Sequence, residues 1–350
     1  MTDIRADNVI VCSGSQPVEF PIEGLDPERL LTNENLFDLV TVPSKIVLIG
    51  GGAISLEMAT AFRDLGSDVA LVEVQDRVIP AEDPLVSSTI TAALRDNGVD
   101  VFTGTSIERF EGTSAHLSDG RTITDVDRVL LAVGRRPRLA DLGLDRAGVA
   151  YTQRGIVVDT FGRTNVDGIY AVGDVTGDTF TTHGANSIGR RAIRAIALPH
   201  LPGFGTPRAL PNAVFSRPEI ASVGLTVDEV DDLPSSGRRR YTVELARTDR
   251  GYTDDLEHGV VIVDAERFTG NILRAAIVGP SAAEIIGLFS SAIDHGIGLR
   301  KMFGTVHPYP AYAQAVGQVT DDFARDTFSS LPTEWWGMVR GRVARRVRRR

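Results

Sequence analysis

The sequence predicts an α/β protein: a parallel-sheet domain built from strand–helix–strand units, followed by a smaller α+β domain. Three observations carry this. Between residues 45 and 133, short apolar runs alternate with helical stretches, the pattern of βαβ units. A glycine turn, Gly50-Gly51-Gly52, stands where the first of those runs gives way to a helix. From Pro211 the texture changes, and strand-like runs (241–246, 260–263, 272–278) alternate with helical ones (Ala282 to His295). The composition agrees. Of 350 residues 42% are apolar and 24% charged, which excludes a disordered chain and leaves room for two or three domains.

Taken in order, Asn8 to Ser13 reads as a short buried strand that runs into Ser13-Gly14-Ser15, with Cys12 as a small core residue. A proline-rich connector follows, from Gln16 to Gly24. Ile46 to Ile49 is a strand; the helix after it shows Ile54, Met58, Phe62 and Leu65 on one face and Gly66 as its stop. Val69 to Glu73 is the next strand. Asp83-Pro84 supplies an N-cap and a first-turn proline to a helix carrying Val86, Ile90, Ala93 and Leu94. Val99 to Thr103 and Arg128 to Val133 are further strands, Asp119-Gly120 is a hairpin signal, and Gly168 to Val172 leads into Gly173-Asp174.

Charge and cysteine content exclude several classes. The net charge is −9, yet the last eleven residues hold seven arginines and no acid, so the rest is more acidic still. An acidic body argues against nucleic acid as a partner. A single cysteine, Cys12, excludes an intrachain disulfide, a cysteine-rich metal site and two-thiol chemistry within one chain; no metal centre is expected. No apolar run reaches transmembrane length, and the opening residues lack a secretory signal, so a cytoplasmic setting is expected. The tail pairs Trp335-Trp336 with the arginines, which suits weak contact with an anionic membrane surface; an unanchored terminus is the alternative.

Gly50 and Gly52 match the first two glycines of G-x-G-x-x-G, between a strand and a helix, and Glu73 ends the next strand. In that context the first glycine permits the turn and the second lets a pyrophosphate approach the backbone at the helix N-terminus. Ser55 stands where glycine or alanine is usual, so either packing is looser there or the hydroxyl is bonded locally. Glu73 can accept from a ribose diol and repels a 2′-phosphate, which favours NADH over NADPH. Arg77, four residues on, reads as a solvated loop residue.

A second signal is Thr164 to Asp174, a strand that delivers a carboxylate to a sheet's C-terminal edge, where ligands bind in open α/β folds. With it, the chain resembles the class I pyridine nucleotide-disulfide oxidoreductases, the family of dihydrolipoamide dehydrogenases and mercuric reductases. Ser13, Gly14 and Ser15 resemble the family's Thr-Gly-Ser turn beside the flavin. Gly50, Gly51, Gly52, Ala53, Ile54, Ser55, Leu56 and Glu57 resemble its NAD loop, and Gly134 to Pro137 the crossover. Asp174 resembles the flavin aspartate, Thr182-His183 the Thr-His after it, and Ser216 to Gly224 the opening of the dimerisation domain.

The resemblance implies a Rossmann-like NAD domain inserted in a partial FAD domain and followed by an α+β dimerisation domain. The limits are 1–42 for a remnant of the FAD domain and connector, 43–138 for the NAD domain, 139–210 for the second FAD segment, 211–322 for dimerisation and 323–350 for the basic tail. It implies a homodimer, FAD and NAD(H) as cofactors, and hydride transfer from NADH to flavin and on to a disulfide, metal ion or quinone.

Two departures accompany the match. The sequence starts after the family's first flavin-binding loop and its Cys-x4-Cys pair, so as written it is not expected to retain flavin or reduce disulfides. The competing reading is a truncated, inactive NADH-binding and dimerisation module. Secondly, the family's catalytic His-Pro-Thr-x-x-Glu is replaced by Tyr309-Pro-Ala-Tyr-Ala-Gln314, with His307 two residues upstream. Tyrosine, with a reference pKa near 10, is a poor proton shuttle at neutral pH, and Gln314 brings no charge. Tyrosine here resembles the mercuric reductase side of the family.

Overall fold

The protein is described by a computed structural model over residues 5–178, 180–198 and 206–329. It divides into two compact units. One holds residues up to Ser55 together with Thr105–Pro207; the other holds Leu56–Gly104 and the residues from Arg208 onward.

In the first unit, strand Arg128–Leu131 pairs in parallel with Leu30–Leu31 on one side and Lys45–Ile49 on the other. Ile46, Val47 and Leu48 are wholly buried, as an unbroken apolar run demands. Ile107–Glu111, Ser114–Leu117 and Thr122–Ile123 form a three-stranded antiparallel sheet. The Asp119-Gly120 signal marks one of its turns. The strands themselves are hidden in mostly polar text, because only alternate residues (Phe110, Ala115, Leu117) are buried. Val9–Val11 pairs in parallel with Ile169–Ala171, and Ser15–Pro17 runs antiparallel to Arg135–Pro137. The first strand stops at Val11, and Cys12 is exposed rather than a core residue. Partial desolvation raises its thiol pKa, so it is not an activated thiolate.

In the second unit, Asp68–Glu73 and Val99–Thr103 pair in parallel, joined by the crossover helix Pro84–Asp96. Asp83 caps that helix through the Leu85 N–H at 2.9 Å, as expected. Helix Ala53–Asp64 turns a different side inward from the one its larger residues suggest. Ser55, Leu56, Ala59, Thr60 and, from the expected face, Phe62 are buried, while Ile54 and Met58 are half-buried. Small side chains take the most enclosed positions. Leu65 lies past the helix end, 61% exposed, because Gly66 at φ +95° reverses the chain there.

An extensive core belongs to a five-stranded antiparallel sheet. Its order is Asn212–Val214, Glu219–Gly224, Ile272–Gly279, Val260–Glu266, Arg238–Glu244. Helix Ala282–Asp294 lays Ile285, Ile286, Phe289 and Ala292 into that core. Residues 314–329 are helical, and Phe323 is buried edge-on against Tyr241 with ring centres 6.0 Å apart. This helix therefore runs across the 322/323 limit drawn from sequence, held by a contact with a residue far upstream. Trp335, Trp336 and the arginine-rich end lie outside the described residues. Among the described residues no helix is long and apolar enough to cross a membrane.

Candidate functional site

The glycine turn is built by sterics. Gly50 sits at φ +102°, and a Cβ there would lie 2.6 Å from the Ala132 carbonyl oxygen, so only glycine fits. At Gly52 a Cβ would meet nothing within 4 Å; the backbone is open to an approaching group. The helix that starts at Ala53 has no acid in its first turn, and its leading N–H groups have no partner within the helix. The combination suits an anion such as a pyrophosphate. Ser55 is fully buried and its Oγ has no hydrogen-bond partner among the described residues, so the hydroxyl is not bonded locally there. Leu56 is core. Glu57 accepts from the Phe215 N–H at 2.9 Å, a structural bond.

Glu73 ends its strand, 8% exposed, with one carboxylate oxygen accepting from the Gln75 N–H at 2.7 Å. Arg77 donates to the Pro80 carbonyl at 2.9 Å and pairs with Asp76, which is loop anchoring. Gly134, at φ +130°, accepts through its carbonyl from the Val18 N–H.

Ser13, Gly14, Ser15 and Asp174 come together. Ser15 Oγ donates to Asp174 Oδ2 at 2.5 Å, and Arg135 Nε donates to the same Oγ at 2.8 Å. The Arg135 guanidinium lies 3.9 Å from Asp174 and also reaches the Ser15 carbonyl, as does Arg138. Ser13 Oγ donates to the Arg138 carbonyl, and the Gly14 carbonyl accepts from the Arg138 N–H. Asp174 is the second residue of a short 3₁₀ turn, Gly173–Thr176, that follows the Ile169–Ala171 strand after Val172. Sequence reading missed Arg135 as the cation of this cluster. Its only signal was its place beside Gly134.

The Tyr309 end is less assembled. Tyr309 is 70% exposed, and the Asp249 carboxylate facing its phenol raises its pKa. Gln314 Oε1 accepts from the Ala311 N–H at 3.4 Å; no hydrogen bond joins it to Tyr309 or to half-buried His307 among the described residues. The buried tyrosine is Tyr312. It donates to Asp254 at 2.8 Å, and burial, reinforced by that carboxylate, pushes its phenol up to about 12. Asp254 is held low by its bonds from Tyr312 and Arg250.

Comparison with known proteins shows the family. A family model described as pyridine nucleotide-disulphide oxidoreductase matches residues 1–198, and that family's dimerisation-domain model matches 210–320. The chain belongs to the pyridine nucleotide-disulphide oxidoreductase family. A dihydrolipoyl dehydrogenase of Haloarcula marismortui is 32% identical over 333 residues, covering 89% of this chain and 68% of that protein. The Bacillus subtilis dihydrolipoyl dehydrogenase is 33% identical over 299 residues, covering 83% of this chain and 64% of the relative. Among solved structures, the HOCl-induced flavoprotein disulfide reductase RclA from Escherichia coli superposes with TM-score 0.82 at 26% identity. That match covers 91% of this chain and 74% of RclA. The chain thus spans about two thirds of the length of the curated relatives it matches. Its class is that of dihydrolipoyl dehydrogenase-like flavoprotein oxidoreductases, with FAD and NAD(H) as the family's cofactors. A catalytically inactive binding module is not favoured.

Proposed function

We propose that this chain acts as an NADH-linked flavoprotein oxidoreductase in which Gly50 to Glu57 and Glu73 hold the dinucleotide and Ser13, Gly14, Ser15 and Asp174 lie beside the flavin. Flavin held there would supply two-electron transfer between reduced nicotinamide and an acceptor such as a metal ion or quinone; with Cys12 as the single cysteine, a disulfide is not the expected acceptor. The residue that carries the reading is Gly50, where a backbone no side chain tolerates meets the start of a helix with no acid in its first turn. Ser15 and Arg135 hold the Asp174 carboxylate in one place, so it meets a polar ligand already oriented. Glu73 supplies acceptor capacity for a ribose diol. Tyr309, a phenol already protonated at neutral pH and raised further by Asp249, offers a hydrogen bond rather than a base at the acceptor side. We place the NAD domain at 43–138, the flavin segments on either side of it, and a homodimer contact within 211–322, in a cytoplasmic setting.

Titration of the full chain with NADH and NADPH at fixed salt tests this. NADH should bind on the order of tenfold more tightly, the effect of one charge repulsion. Glu73→Ala should narrow the gap. Equal affinities for the unaltered chain would remove Glu73 from the site.

A further inference from the structure

We propose that Asp96, Glu257 and His258 form a site for one divalent cation of the zinc class, a clasp within the second unit. The three side chains each offer one ligand atom, and these atoms lie within 4.8 Å of one another. His258 Nε2 and Asp96 Oδ2 are 2.5 Å apart. Zinc bonds of roughly 2.0–2.2 Å set ligand atoms on the order of 3–4 Å apart, within reach of small rotations of these partly or fully exposed side-chain ends.

The charge accounting points to a cation. Asp96 is bonded to His258, whereas Glu257 makes no hydrogen bond or ion pair among the described residues, although it stands beside another carboxylate. Whether His258 is protonated or neutral, the cluster keeps a net negative charge. Asp96 is also the last residue of helix Pro84–Asp96, the end that carries partial negative charge and favours a cation over an acid. The three residues line a cleft of about 1170 Å³ that further presents Glu57, Asp64, Glu219, Asp254 and Asp255. Asp64 is neutralised there by Arg217 at 2.9 Å, and Asp254 is bonded by Arg250 and Tyr312. The cleft is left acidic, and such walls concentrate cations.

An imidazole nitrogen with two carboxylates suits zinc, nickel or copper, whereas magnesium and calcium prefer oxygen alone. Three protein ligands leave a fourth position to water. The ligands come from the end of one helix and from the loop before strand Val260–Glu266, so a bound ion ties two segments that are over 150 residues apart in sequence (|i−j| of 162 for Asp96 and His258).

The test uses the full, untagged, metal-stripped chain with zinc chloride in calorimetry and thermal melting. One zinc per chain and a raised Tm are expected, with no rise from magnesium. Glu257→Gln and His258→Ala alter partly or fully exposed positions, and circular dichroism checks that both stay folded. Each should weaken zinc at least roughly tenfold, the least that even an outer partner of a metal ligand is worth. Cobalt in place of zinc should give visible bands that His258→Ala abolishes. Substoichiometric zinc in the unaltered chain, or folded variants that bind as tightly as it does, would overturn the site.

Discussion

The strand pair Val260–Glu266 and Ile272–Gly279 and the strand pair Val9–Val11 and Ile169–Ala171 are both apolar, yet they stand differently. The first keeps register over five residues, from Val260↔Val278 to Asp264↔Arg274, before a shift at Ala265, with Val261, Val263, Ala275 and Ile277 wholly buried under a helix. The second keeps register for three residues, and Val9 is 49% exposed. Long, two-sided burial lets one region hold itself together. The short pair packs in a small core of its own with Leu144, Val149, Ile156 and Val175, and polar bonds gather beyond its ends, where Ser15, Arg135 and Asp174 meet. The stable sheet and the candidate flavin-side cluster thus lie in different regions, and the cluster depends on hydrogen bonds that single substitutions remove.

The sharpest way to break this contrast is Phe289→Ala. Phe289 is fully buried in the antiparallel core, and its truncation should cost about 3–5 kcal/mol in urea unfolding followed on the second unit. A loss below about 1 kcal/mol would mean the core is not the anchor described.

Ser15→Ala comes next. It takes the shared hydroxyl from Arg135 and Asp174 and should cost about 1–3 kcal/mol, confined to its own region. Amide exchange should quicken at Val9–Val11 and Ile169–Ala171 and stay unchanged at Val260–Val263. Quickening in both regions would erase the contrast.

The smallest effect is at Tyr312. Its folded pKa of about 12 lies above the reference of about 10, so the folded state holds its proton more tightly. That contribution is whole below pH 10 and is lost as pH rises from 10 towards 12. Tyr312→Phe should lower stability at pH 7 by about 1 kcal/mol, for the bond to Asp254, and flatten the decline between pH 10 and 11.5. An equally steep decline in the variant would assign the titration elsewhere.

Legibility followed range. The Gly50 turn, the Asp83-Pro84 helix start and the Ile46–Ile49 strand are local matters of sterics, capping and apolar runs, and all were readable. The Ser114–Leu117 strand was not, because one buried face in a polar stretch leaves too weak a pattern. Arg135 could be placed beside a glycine but not given its partners, and nothing near Tyr312 in sequence announces Asp254.

By itself the sequence determined the α/β class, the glycine turn and the family resemblance, since each rests on backbone sterics or residue order within a few dozen positions. Tertiary structure alone decided which side of helix Ala53–Asp64 turned inward, that Phe323 joined the core, and that Ser15 met Asp174, 159 residues away. It also brought His258 to Asp96. The physical reason is that periodicity states which residues prefer burial, whereas the partner each one meets is set only when distant segments pack and every buried polar group must find its bond.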